Sequence, residues 1–154
     1  MRTRTTAVMA FLVGLVIAAA VAGPAGAAGG TDRRGGTLEF TFLTGAEEVG
    51  PGDPDAFGAA LVRLNQSKGE ICYLIAVTRV DGTIVAAHIH RAPKGVNGPV
   101  VVNFVPPADG FVHDCVAVDP ALIAEIRTNP EQFYVNVHSS PNFPGGAVRG
   151  QLGR

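Results

Sequence analysis

The sequence predicts an all-β domain, an antiparallel sandwich or barrel of seven to eight short strands with one short helix. Three observations carry that prediction. Short runs rich in Val, Ile, Thr and Phe recur along the chain. Turn-forming clusters separate them, at Gly50-Pro51-Gly52, Asp81-Gly82, Asn97-Gly98-Pro99, Pro106-Pro107 and Pro144-Gly145-Gly146. A single segment, about 119–128, changes to a helical period.

The chain opens with a segment that does not belong to the fold. Arg2 and Arg4 precede an uninterrupted apolar stretch at residues 7–22, and Ala25-Gly26-Ala27 offers small residues at a cleavage position. This reads as a signal peptide over residues 1–27. The apolar stretch is shorter than the roughly 20 residues a spanning helix needs, so no membrane span is expected after cleavage. Residues 28–36, rich in Gly, read as a flexible mature N-terminus. Residues 37–152 then form one domain, large enough for a real core. Export places the protein outside the cell, in the periplasm or on the envelope.

The strand runs follow in order at 37–43, 57–65, 70–80, 83–91, 100–104, 111–118, 133–139 and 147–152. Asp81-Gly82, between two alternating runs, is the strongest hairpin signal among them. In the helical segment Asp119 stands as N-cap and Pro120 at the first helical position. Leu122 and Ile126 make an apolar stripe for core packing, and Asn129-Pro130 stops the helix. Two cysteines, Cys72 and Cys115, remain in the exported chain. An oxidising compartment makes a disulfide their default state, in preference to free or metal-bound thiols. Closing a loop of about 44 residues restricts the unfolded chain by about 4 kcal/mol.

Charge excludes some functions. Without the leader, ten basic residues face thirteen acidic ones, so there is no basic patch for nucleic acid and no cationic run for anionic membranes. No Gly-x-Ser-x-Gly motif surrounds any serine, and Ser139-Ser140 is expected in a turn, which leaves nucleophilic hydrolysis without support. Glu47, Glu48, Asp53 and Asp55 lie in one Gly/Pro loop but follow no EF-hand spacing, and a solvated acidic loop is the plainer reading. Asn65-Gln66-Ser67 fits a glycosylation sequon at a turn. His113 shares a strand face with Cys115 and reads as a packed or surface histidine.

The chemistry concentrates elsewhere. On a strand, residues i and i+2 share a face. His88 and His90 therefore project together, as do Tyr134, Asn136 and His138, and as do Arg149 and Gln151. Three apolar-looking strands each carry a polar stripe, and polar groups on covered faces need partners.

Several motifs together resemble one known family. They are Thr44-Gly45-Ala46-Glu47-Glu48-Val49 with Gly58-Ala59-Ala60, and His88-Ile89-His90 with Gly95 and Asn97-Gly98-Pro99. The end of the chain is the most specific part: Tyr134 to His138, then Phe143-Pro144-Gly145-Gly146-Ala147-Val148-Arg149-Gly150-Gln151-Leu152. Over about Leu38 to Leu152 the chain resembles the CHRD domain, named from chordin and also found alone in exported bacterial proteins. The resemblance implies an immunoglobulin-like, Greek-key extracellular β fold and no catalytic residues. Chordin carries its copies between cysteine-rich modules that bind growth factors. This chain has one copy and no such modules, so chordin's partners do not carry over. The expectation is a secreted, non-enzymatic binding or structural module for an extracellular protein or small ligand.

The alternative is a metal centre. Imidazoles from His88, His90 and His138 can converge on one ion at about 2.0–2.1 Å, with copper or zinc as the cofactor and Asn136, Arg149 and Gln151 around it. A looser resemblance, to copper–zinc superoxide dismutases, rests on the order His88, His90, His138, Arg149. The chain has no match for their bridging histidine or zinc loop. The competing reading is a hydrogen-bonded network fixing strand register, which requires each imidazole to find both a donor and an acceptor.

Overall fold

A computed structural model describes residues 30–31 and 36–153; the expected signal peptide lies outside the described residues. It contains strands β1 (Gly30–Thr31), β2 (Thr37–Thr44), β3 (Phe57–Asn65), β4 (Glu70–Thr78), β5 (Thr83–Arg91), β6 (Val100–Phe104), β7 (Phe111–Ala117), β8 (Phe133–Ser140) and β9 (Phe143–Gln151), and helix α1 (Pro120–Thr128). Every pairing is antiparallel, in the order β6-β5-β8-β9-β2-β3-β4-β7, with β1 added on β2. The expected all-β fold with one helix is therefore found.

One link in that path is weak. Strands β2 and β9 pair only at Thr44–Arg149, which divides the sheet into two four-stranded halves. Alternation then decides the core. Ile89, Val135, Val137 and Val148 turn inward from one half, and Val62, Leu64, Ile71 and Ile75 from the other; all are 0–1% exposed. Near its β6 end the path also reaches back to β4. The Val105 amide donates to the Tyr73 hydroxyl at 2.8 Å, and the Tyr73 and Phe104 rings stack at 3.9 Å. The sheet thus curls into a nearly closed barrel or sandwich, with β6 and β7 as the two ends of the path.

Helix α1 forms as its sequence directs. The Asp119 carboxylate accepts the Ala121 amide at 2.8 Å. Ile123 and Ile126 are the residues it buries fully, while Leu122 of the expected stripe is half-buried. Cys72 and Cys115 are opposite one another in the β4–β7 register and form the expected disulfide.

Three local expectations are corrected. Asp81-Gly82 does not close a hairpin, because β4 pairs with β3 and β7 while β5 pairs with β6 and β8. The segment crosses between the two halves instead. The Asp53 carboxylate accepts the Asp81 amide at 2.8 Å, and the Ser139 hydroxyl donates to the Asp81 carbonyl at 2.6 Å. Ser139 and Ser140 lie in β8 rather than in a turn. Pro144-Gly145-Gly146 is inside β9, which starts at Phe143 instead of Ala147.

The acidic loop is neither a calcium cage nor a solvated run. Buried Asp53 accepts the amides of Asp55, Ala56 and Asp81, and Glu47 pairs with Lys94 at 2.9 Å. Asn65 is also buried. It accepts from the Ser67 hydroxyl and the Lys68 amide, so the sequon serves as a turn cap.

Candidate metal site

The polar stripe lies on the outward face of β5, β8 and β9. In register, His90 stands opposite Tyr134 and Tyr134 opposite Gln151; one step along, His88 is opposite Asn136 and Asn136 opposite Arg149. His138 follows Asn136 on the same face, opposite Ala86. An outward face normally meets water, yet Tyr134, Asn136, Arg149 and Gln151 are all buried. The loop joining β5 to β6, residues 92–99, covers them.

Backbone carbonyls fasten that cover. Arg149 donates to the carbonyls of Val96 at 3.0 Å and Pro93 at 3.1 Å, and its guanidinium lies 3.4 Å from the centre of the Tyr134 ring. Gln151 donates to the carbonyls of Ala92, Glu131 and Phe133 at 2.8–2.9 Å. The Gly98 amide donates to the Tyr134 hydroxyl at 3.3 Å. Gly98 is required here, since a Cβ would fall 1.9 Å from the Arg91 carbonyl oxygen. Arg149 and Gln151 are thus loop anchors, and neither is directed at an imidazole by these contacts.

The histidines beside them behave differently. His90 Nδ1 is 2.8 Å from the Gly98 carbonyl oxygen, and His138 Nδ1 is 3.0 Å from that of Pro144. A carbonyl only accepts, so both Nδ1 atoms carry a proton, and neutral His90 keeps its lone pair on Nε2. His138 Nε2 meets two groups, His88 Nδ1 at 3.2 Å and Asn136 Oδ1 at 3.1 Å. His90 Nε2 is buried and makes no hydrogen bond of regular geometry among the described residues, although the Asn136 side chain lies near enough to raise the His90 pKa against the effect of burial. His90 also stacks on Tyr134, with centroids 4.8 Å apart and planes 5° from parallel.

One nitrogen from each of His88, His90 and His138 lies within 4.8 Å of the others. Two ligands on one ion stand at most about 4.2 Å apart, so closing the set needs ring movements of under about 1 Å. Burial, with the neighbouring His138 and His90, lowers the His88 pKa to about 4; burial also lowers that of His90. Both are therefore neutral at pH 7, which is the ligating form. His88 and His138 remain partly exposed, so a ligand can reach the cluster.

Glu48, expected in a solvated acidic loop, is drawn to the site instead. Its carboxylate packs against Gly146, where a Cβ would meet it at 2.3 Å, and its Oε1 is buried without a partner among the described residues. Burial raises its pKa to about 7, against the opposing pull of Arg149 and Asn136. Its signal was its position in the Thr44–Val49 motif. The second cluster of ligand-type atoms, Glu70 with Cys72 and Cys115, offers no thiolate because both sulfurs are in the disulfide. His113 is exposed and takes no part.

Fold and site together define an antiparallel β-barrel domain with a loop-covered polar face that carries three convergent imidazoles. A family model of the CHRD domain matches residues 40–152, nearly all of the described chain, and the protein belongs to that family. No curated protein and no solved structure gives a significant match. The disulfide and the CHRD domain fit an extracellular or envelope protein, and no helix among the described residues is long and apolar enough to cross a membrane.

Proposed function

We propose that this chain is an exported, non-enzymatic binding module and that its ligand is a transition-metal ion, copper or zinc, held by His88, His90 and His138. The observation that carries the reading is His90: one ring nitrogen is tied to the Gly98 carbonyl while the other is buried, without a regular hydrogen bond and turned among two further imidazoles. Orienting one nitrogen with a carbonyl is how proteins fix the tautomer of a ligating histidine. An all-imidazole set suits copper, zinc, iron or nickel, and the affinity order for divalent ions favours copper over zinc. Three ligands leave a further position open to solvent or a small molecule.

The competing register-fixing network has its own support in Arg149 and Gln151, which bind backbone carbonyls and one another. It does not give the His90 nitrogen a regular hydrogen bond. The proposal stops at binding, because Arg149, the residue in the order shared with superoxide dismutases, is 1% exposed and fastened to the loop. The test is elemental analysis of protein purified without a histidine tag, beside the His88→Ala/His90→Ala double variant. One equivalent of metal in the natural protein and none in the variant is expected. Absence of metal from both, with no calorimetric binding of added Cu(II) or Zn(II), overturns it.

A further inference from the structure

The outward face of the other half, β2-β3-β4-β7, is bare. Phe42 is 70% exposed, Phe111 57%, Phe57 51%, Phe40 45% and Leu61 38%. These side chains are contiguous across the pairings Phe40–Leu61, Phe42–Ala59 and Ala76–Phe111. From those exposures they present roughly 500 Å² of apolar surface, at the upper end for a monomer. With Ala59, Ala76 and Leu74 between them the apolar surface reaches roughly 600 Å², and the polar residues around it must supply the rest of the roughly 800 Å² per partner of a standard interface.

We propose that this face is the interface of a homodimer, in which a second copy of the chain packs sheet on sheet against it. The shape is self-complementary. Phe42 projects beside a hollow of about 310 Å³ floored by Ala59 and Ala76 and walled by Phe57 and Thr78. A twofold axis places each Phe42 in the partner's hollow, the reciprocal contact that an isologous interface requires. Phe40 packs edge-on against Phe42 at 4.9 Å and holds it upright. The charges sit at the margins. Arg63 and Glu70 stand near the disulfide, and Arg79 lies over the Phe57 ring at 5.7 Å. An aromatic centre with a charged rim is the composition of a protein interface. The row Phe42, Ala59, Ala76 and Phe111 carries no charge, and His113, opposite Leu74, is the ionisable group next to it. Strands β3 and β4, at the centre of the face, are paired on both sides, so stacking rather than strand addition is the mode open to them. The histidine face points away and stays open in the dimer.

Sedimentation velocity on the exported chain tests this. A dimer is expected at about 10 μM, with Phe42→Lys and Ala59→Arg each raising its Kd by at least about 100-fold. Measured at a dilution where the natural chain is monomeric, both variants should keep its urea midpoint, and the control Val85→Lys, at an exposed position on β5, should leave the Kd unchanged. Phe42→Ser is the milder variant if a charge prevents folding. A natural chain that stays monomeric at about 100 μM overturns the proposal. So does an unchanged Kd in folded Phe42 and Ala59 variants, or a monomer that sediments with phosphatidylcholine vesicles, which would make lipid the occupant.

Discussion

The two halves of the barrel share one inner design and differ in what covers the outside. Behind β5, β8 and β9 the outward positions are His, Asn, Arg, Gln and Tyr, and the 92–99 loop closes over most of them. Behind β2, β3 and β4 the outward positions are mainly Phe, Ala and Leu, with Arg63, Glu70 and the disulfide toward one end. The polar face is the covered one because a loop brings unpaired carbonyls, which need donors. Arg149, Gln151 and His90 supply those donors. An apolar face offers a loop no such anchors.

Removing an anchor should have the largest effect. Arg149→Met strands the Val96 carbonyl, leaves the Pro93 carbonyl with the Val96 amide alone and loses the Tyr134 stack, so unfolding free energy should fall by about 3 kcal/mol in urea titrations. Phe42→Ser on the bare face, measured as monomer, should stay within about 0.5 kcal/mol. Equal losses at the two positions would erase the contrast.

The disulfide is the covalent fastening on the bare half. Cys72→Ser/Cys115→Ser should cost about 2–4 kcal/mol by the same titration, without loss of metal binding. On the covered half, Cu(II) at about 100 times its Kd should add about 2.7 kcal/mol to the natural protein. It should add nothing to His88→Ala/His90→Ala, as read by thermal melting.

The smallest effect is in pH dependence of the metal-free protein. The His88 pKa falls from 6.5 to about 4, so the unfolded chain binds the extra proton between those values. Stability from this group rises with pH across that window and is lost as pH drops through it. The Glu48 pKa rises from 4.5 to about 7, so the folded chain holds the extra proton there, and its contribution is lost as pH rises through about 7. Glu48→Gln should therefore steepen the gain in stability between pH 5 and 8, and His88→Asn should flatten it. Urea midpoints at the two pH values measure both.

Much of this was legible in the residues. Period-2 runs located the strands, and Asp119-Pro120 located the helix start. The same period placed His88 with His90, and Tyr134 with Asn136 and His138, on shared faces. The hairpin expected at Asp81-Gly82 failed for a physical reason. A turn dipeptide specifies a local bend, whereas partner choice depends on the burial each strand finds. The calcium alternative for the acidic loop was settled by Asp53, whose carboxylate is consumed by three amides that no side-chain pattern marks.

The sequence by itself determined the strands, the helix, the cysteine pairing and the shared faces, because these follow from local periodicity and covalent chemistry. Tertiary structure alone decided that His138 meets His88 across fifty positions, and that the 92–99 carbonyls cover one face while the phenylalanines of the other stay bare. The physical reason is that alternation tells which side chains point outward but not what lies above them. Here the cover is backbone, and backbone carbonyls are the same at every position in the chain.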